Sequence, residues 1–142
     1  MDKISTYDYL LQHQVKPSVQ RLAVMDYLRK HRTHPTADDI YVHLLKEIPT
    51  LSKTTVYNTL RLLVEHGAAR MLTIDEHNVC FDAMVVPHAH FLCTTCGHVY
   101  DLPADEVPVS PAGMLPGGHK AAEADLYYRG TCCQCLAAET RN

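Results

Sequence analysis

Three amphipathic helical stretches in succession, a strand–turn–strand after them, and two Cys-x2-Cys pairs in a strand-rich second half predict an α+β fold. The chain reads as an N-terminal winged helix-turn-helix over residues 1–84, followed by a small α/β domain over 85–142 organised by the cysteine pairs. Its 142 residues suffice for one ordinary domain or two small ones and exclude a large enzyme. With 46% hydrophobic and 20% charged residues the composition is that of a globular chain, not a disordered one.

Pro17 and Ser18 open the first periodic helix, in which Val19, Leu22, Met25 and Leu28 recur every third residue up to about Arg32. Thr36 is the expected N-cap of the next, with Asp38 and Asp39 in its first turn. Ile40, Tyr41, Leu44, Leu45 and Ile48 follow at helical spacing, and Pro49 closes it. Ser52 caps the third, whose apolar stripe is Val56, Leu60 and Leu63 and whose stop is Gly67. Residues 69–74, 75–77 and 78–83 read as strand, turn and strand, the shape of a wing. Beyond Pro87, 88–93 and 98–102 alternate as short strands. Residues 103–118, with four prolines and three glycines, read as irregular loop, and 123–132 as a further strand.

The third helix carries a second face of Lys53, Thr54, Tyr57, Asn58 and Arg61, the groups that meet base edges and phosphates in a major groove. Charge supports that use. Net charge is −3 overall, yet residues 16–70 hold nine Lys/Arg against five Asp/Glu, whereas 85–142 hold three against six. No stretch approaches the roughly 18 apolar residues of a membrane span, and the opening residues lack a signal-peptide core, so a cytoplasmic protein without a membrane partner is expected.

Cys93 and Cys96, with Cys132 and Cys135, form two knuckles, each able to present two thiolates to one ion, and together they make a tetrahedral sulfur site for structural zinc. Cys80 and Cys133 fall outside that pattern. His88, His90 and Asp101 then remain. His88 and His90, alternating on a strand, should share a side and grip one ion. Nitrogen and oxygen donors without thiolate suit iron(II), manganese(II) or an open zinc site. His13, His31, His43, His66, His77 and His98 are expected at the surface. A metalloenzyme could use such donors, but no nucleophile, general-base pair or cofactor loop accompanies them, and a purely structural zinc module would leave the polar helix face unused.

Over nearly the whole chain the sequence resembles the ferric uptake regulator (Fur) superfamily. The resemblance rests on "KPSVQR", "HPTADDIY", "TTVYNTL", "CFDA", "HAHFLCTTCG" and the closing "CCQC", in order and spacing. It implies a winged helix, a hinge and a C-terminal α/β dimerisation domain, assembled as a homodimer that binds palindromic double-stranded operator DNA when a regulatory metal sits between the domains. The peroxide-sensing PerR branch is the nearest in pattern: its ligand positions correspond here to His34, Asp82, His88, His90 and Asp101. In that branch iron(II) or manganese(II) is the regulatory ion, and peroxide acts through iron to oxidise a ligand histidine, here His34 or His88. The alternative within the superfamily is a regulator of iron, zinc or manganese availability without peroxide chemistry. Arg21, entering the first helix of the winged-helix unit, is expected at a phosphate. Ala89 and Ala124 stand where many relatives place ligands of an additional metal site, which is expected to be missing. His119 and Glu123 have no spacing that requires metal.

Overall fold

A computed structural model of the chain describes residues 4–75, 77–110 and 112–140, which fall into two compact units, 1–85 and 86–142.

Unit 1 has four helices, α1 (Thr6–Gln12), α2 (Val19–Lys30), α3 (Ala37–Leu45) and α4 (Lys53–Glu65), then strands β1 (Arg70–Leu72) and β2 (Cys80–Asp82). Each helix begins where a short polar side chain can take up an otherwise orphaned N–H. Ser5, Ser18 and Ser52 accept from Asp8, Arg21 and Thr55, and Thr36 exchanges hydrogen bonds with Asp39 in a full capping box. Val24, Met25 and Leu28 of α2, Ile40 and Leu44 of α3, and Val56, Leu60 and Leu63 of α4 form one core. Because Leu60 is wholly buried there, Leu60→Ala should destabilise unit 1 by about 2–5 kcal/mol, read as a lowered midpoint in chemical denaturation.

α1 has no counterpart among the expected helices. It is too short for a periodicity to show, and Leu10 is its one buried residue. Tyr9 ties it down, donating from its hydroxyl to the Ala68 carbonyl at 2.7 Å beneath the Arg29 guanidinium, 5.0 Å from the ring. The wing pairs antiparallel, with Arg70 opposite Asp82, Met71 opposite Phe81 and Leu72 opposite Cys80.

Unit 2 is a three-stranded sheet of order β4-β3-β7, from β3 (His90–Cys93), β4 (Val99–Asp101) and β7 (Tyr127–Gly130), with helix α5 (Cys133–Thr140) after it. β3 and β4 are antiparallel neighbours, while β7 returns parallel to β3 after the long connection between β4 and β7. That connection is not irregular throughout. Within it β5 (Met114–Leu115) and β6 (His119–Lys120) pair antiparallel across a turn in which Gly117 and Gly118 take φ of +87° and +85°, a conformation open to glycine. The strand expected over 123–132 contracts to its last residues before the second knuckle, and α5 follows where no helix was read. No helix among the described residues is long and apolar enough to cross a membrane.

Candidate metal centres and nucleic-acid face

The first knuckle is the turn between β3 and β4. Cys93 ends β3, Gly97 takes φ +79°, and the Gly97 N–H donates to Cys93 O at 2.8 Å, which folds Cys96 back beside Cys93. The second lies where β7 runs out into α5. Thr94 donates from its backbone N–H to Gly130 O at 2.8 Å, fastening the end of β7 to the first knuckle, and Cys132 and Cys135 arrive at the start of α5.

The four Sγ atoms come within 4.8 Å of one another, with Cys93–Cys135 at 3.8 Å and Cys96–Cys132 at 3.9 Å. A tetrahedron with metal–sulfur bonds of about 2.3 Å has edges of roughly 3.8 Å, so the set fits zinc and is far too open for disulfides. The N–H groups of Cys96 and Cys132 both donate to Cys93 Sγ, at 3.4 and 3.3 Å. These two donors favour the thiolate and draw the Cys93 pKa down to about 6, whereas Cys135, hydrogen-bonded to Cys132 and desolvated, is pushed up to about 12. Cys80 and Cys133 join no such cluster. Cys80 is buried in the wing with its thiol raised to about 11 by desolvation, and Cys133 is exposed.

The nitrogen and oxygen donors fall into two sets, one in each unit. In unit 1 the Phe81 N–H donates to Pro35 O at 2.9 Å and Thr36 bridges Cys80, so the segment entering α3 lies along β2 and sets His34 beside Asp82. His34 Nε2 is 3.6 Å from Asp82 Oδ2, while Asp82 Oδ1 accepts from the Met84 N–H at 2.9 Å. His34 holds φ +55°, a left-handed conformation costing about 1–2 kcal/mol in a side-chain-bearing residue, and the contacts of Pro35 and Thr36 with β2 hold the segment that follows it.

In unit 2, His88 and His90 both reach Asp101, but not by alternation along one strand. His88 precedes β3. Its ring is fixed instead by Nδ1 donating to Val86 O at 2.8 Å. His90 pairs across the ladder with Asp101, whose Oδ1 lies 2.8 Å from His88 Nε2 and 3.2 Å from His90 Nε2. Imidazole nitrogens gathered on a carboxylate in this way are donors of the kind that suit a divalent first-row metal. His119 and Glu123 are exposed and belong to neither set.

The polar face of α4 stands opposite its buried stripe. Lys53, Thr54, Tyr57, Asn58 and Arg61 are exposed, Tyr57 by 50%, with Val56, Thr59, Leu60 and Leu63 on the inner side. Lys53 is engaged by Asp38 at 3.7 Å. At the start of α2, Arg21 donates from Nη1 to Lys16 O at 3.0 Å. One residue near the metal donors escaped sequence reading: Arg70, directly across the wing from Asp82. Only the pairing register reveals it.

The Peroxide operon regulator of Bacillus subtilis (strain 168) is 36% identical over 128 residues, covering 88% of this chain and 87% of that protein. The fold is that of the ferric uptake regulator from Pseudomonas aeruginosa solved with manganese (TM-score 0.70, 19% identity, 92% of this chain and 99% of that one). A zinc uptake regulator solved in complex with zinc and DNA shares it too (TM-score 0.63, 20% identity, 97% and 99%). The profile of the Ferric uptake regulator family matches residues 12–128, and the chain therefore belongs to that family of metal-responsive transcriptional regulators, which are not enzymes.

Proposed function

We propose that this chain is a homodimeric repressor that binds palindromic operator DNA with its regulatory metal and releases it on reaction with hydrogen peroxide. The carrying observation is that aspartate stands at both 82 and 101, the ligand positions of the peroxide-sensing branch, in a chain 36% identical to a peroxide operon regulator. In this reading His34 and Asp82 from unit 1 close with His88, His90 and Asp101 from unit 2 on a single iron(II) or manganese(II), and Cys93, Cys96, Cys132 and Cys135 hold structural zinc. The residue types support that division, thiolates for zinc and imidazole with carboxylate for the regulatory ion.

Iron(II), when bound, supplies the one-electron chemistry that breaks the peroxide O–O bond. The ligand side chains do the rest. His34 and His88 offer ring carbons at the point of oxidation, and an oxygen added to either ring removes a good nitrogen donor. The two donor sets then lose their common ion, and the orientation competent for DNA loses its fastening.

On the DNA, α4 would enter the major groove with Tyr57 and Arg61 foremost, and Arg21 would meet a phosphate. Fluorescence anisotropy with a labelled palindromic operator tests this directly. Manganese(II) protein should bind and a chelator should release it. Arg61→Ala should weaken the complex by about 1–3 kcal/mol if it reads a base, without shifting the melting curve, whereas Arg21→Ala should weaken all sequences alike. DNA affinity indifferent to metal would end the proposal. Metal-dependent binding that peroxide leaves intact would instead make the chain a metal-availability regulator.

A further inference from the structure

The sheet of unit 2 keeps its two kinds of metal donor on opposite faces. Along β3, His90 and Leu92 lie on one side, Phe91 and Cys93 on the other. The register sets Asp101 opposite His90 and Tyr100 opposite Phe91, so one step along β4 passes from a carboxylate beside the imidazoles to a phenol on the face that carries Cys93. The centroid of the Tyr100 ring lies 4.4 Å from that of His98, within the first knuckle, and 6.3 Å from that of Phe91. From this position its hydroxyl donates a hydrogen bond to Cys132 of the second knuckle.

Burial gives that bond its purpose. Cys96 is exposed and its sulfur can meet water, whereas Cys93 and Cys132 are buried, and a thiolate out of water needs donors from the protein. Cys93 has the N–H groups of Cys96 and Cys132. Cys132 has the Tyr100 hydroxyl first and the Cys135 N–H second, which together hold its thiol below the ordinary value. We infer that Tyr100 is a positioning residue of the sulfur centre, its hydroxyl holding Cys132 as the thiolate and so setting how tightly structural zinc is kept. This rests on the reading of the four cysteines as a zinc site. Four thiolates around a divalent ion carry a net negative charge, and each donated hydrogen spreads part of it.

The test uses the full chain loaded with zinc and, in parallel, with cobalt(II), whose sulfur-to-metal charge-transfer band reports the electron density on the thiolates. Tyr100→Phe keeps the ring and removes the donor. It should hold zinc about tenfold less tightly in competition with a chromogenic chelator, and its cobalt(II) band should move to longer wavelength, because a thiolate without its donor gives up charge more readily. Phe91→Leu disturbs the packing of the same ring but leaves the hydroxyl, and its band should stay in place. A Tyr100 that merely packs the face would lower the affinity without moving the band, and that result, or an equal band shift in Phe91→Leu, would overturn the inference. So would a Tyr100→Phe protein that does not fold with zinc in excess, since loss of one donor cannot unfold a unit whose four thiolates remain. Parent protein without a thiolate band on cobalt(II) would remove the zinc reading itself. A parent band, with Tyr100→Phe unchanged in both band and affinity, would keep the zinc and refute the role of Tyr100.

Discussion

Serine in place of Cys93 or Cys132 should release the proposed structural zinc and leave unit 2 without stable structure. Among the described residues of this unit the buried apolar side chains amount to Ala89, Leu92, Cys93 and Cys132, far too few to offset the chain entropy of ordering the sheet and α5. The sulfur cluster must supply the balance, and structural zinc sites contribute about 10–16 kcal/mol at neutral pH, a sum comparable with the whole stability of an ordinary domain. Cys93 is the most exposed to this logic because it ends β3 and accepts N–H groups from both knuckles. Acid should mimic the substitution. Zinc is held by thiolate, so protons compete with the ion for Cys93 and its partners, and the site weakens as pH falls. Zinc content by chromogenic chelator, circular dichroism melting and sedimentation velocity read the result. Either variant retaining a full zinc equivalent, its melting curve and its dimer would remove the structural site from the account.

Hydrogen peroxide should strip the iron(II) protein from its operator and leave the manganese(II) protein bound. Both ions accept the same nitrogen and oxygen donors, but manganese(II) does not readily drive the cleavage of peroxide, so the pair separates occupancy from oxidation. The expected effect is large because, on the proposed reading, the ion biases a two-state equilibrium: carrying such an equilibrium from 1:99 to 99:1 takes about 5.5 kcal/mol, and loss of one imidazole ligand would forfeit a sizeable share of it. Operator affinity of the iron form should fall roughly a hundredfold or more. Asp101→Glu should keep metal-dependent DNA binding but blunt the peroxide response. His88 and His90 both bear on the same Asp101 oxygen, and a longer carboxylate moves that oxygen relative to two rings fixed by Val86 O and by the β3 ladder. Anisotropy titrations before and after peroxide, for both metals and both proteins, measure all of this.

What the sequence made legible followed the strength of its local signals. Thr36 and Ser52 mark helix starts because a hydroxyl one position ahead of an apolar period has few other uses, and both sit at N-caps. The Cys pairs were legible for the same reason, since a two-residue gap matters only when both thiols serve one turn. Short elements carried no such signal. α1 lacks a second buried residue to reveal a period, and α5 buries none at all. The hairpin in the proline-rich connection depends on paired glycines with positive φ, which composition alone reads as loop. His88 shows a subtler limit: its partner followed from spacing, yet its orientation comes from a backbone carbonyl two residues earlier rather than from strand alternation. Arg70 was invisible because strand register is a tertiary property.

The most direct test is the mass of the peptides containing His34 and His88 after brief exposure to low hydrogen peroxide. The account predicts one added oxygen on one or both in the iron(II) protein, rising in step with loss of operator binding, and none in the manganese(II) protein under the same treatment. Iron(II) protein that keeps both histidines unmodified and stays on its DNA through the exposure would contradict peroxide sensing.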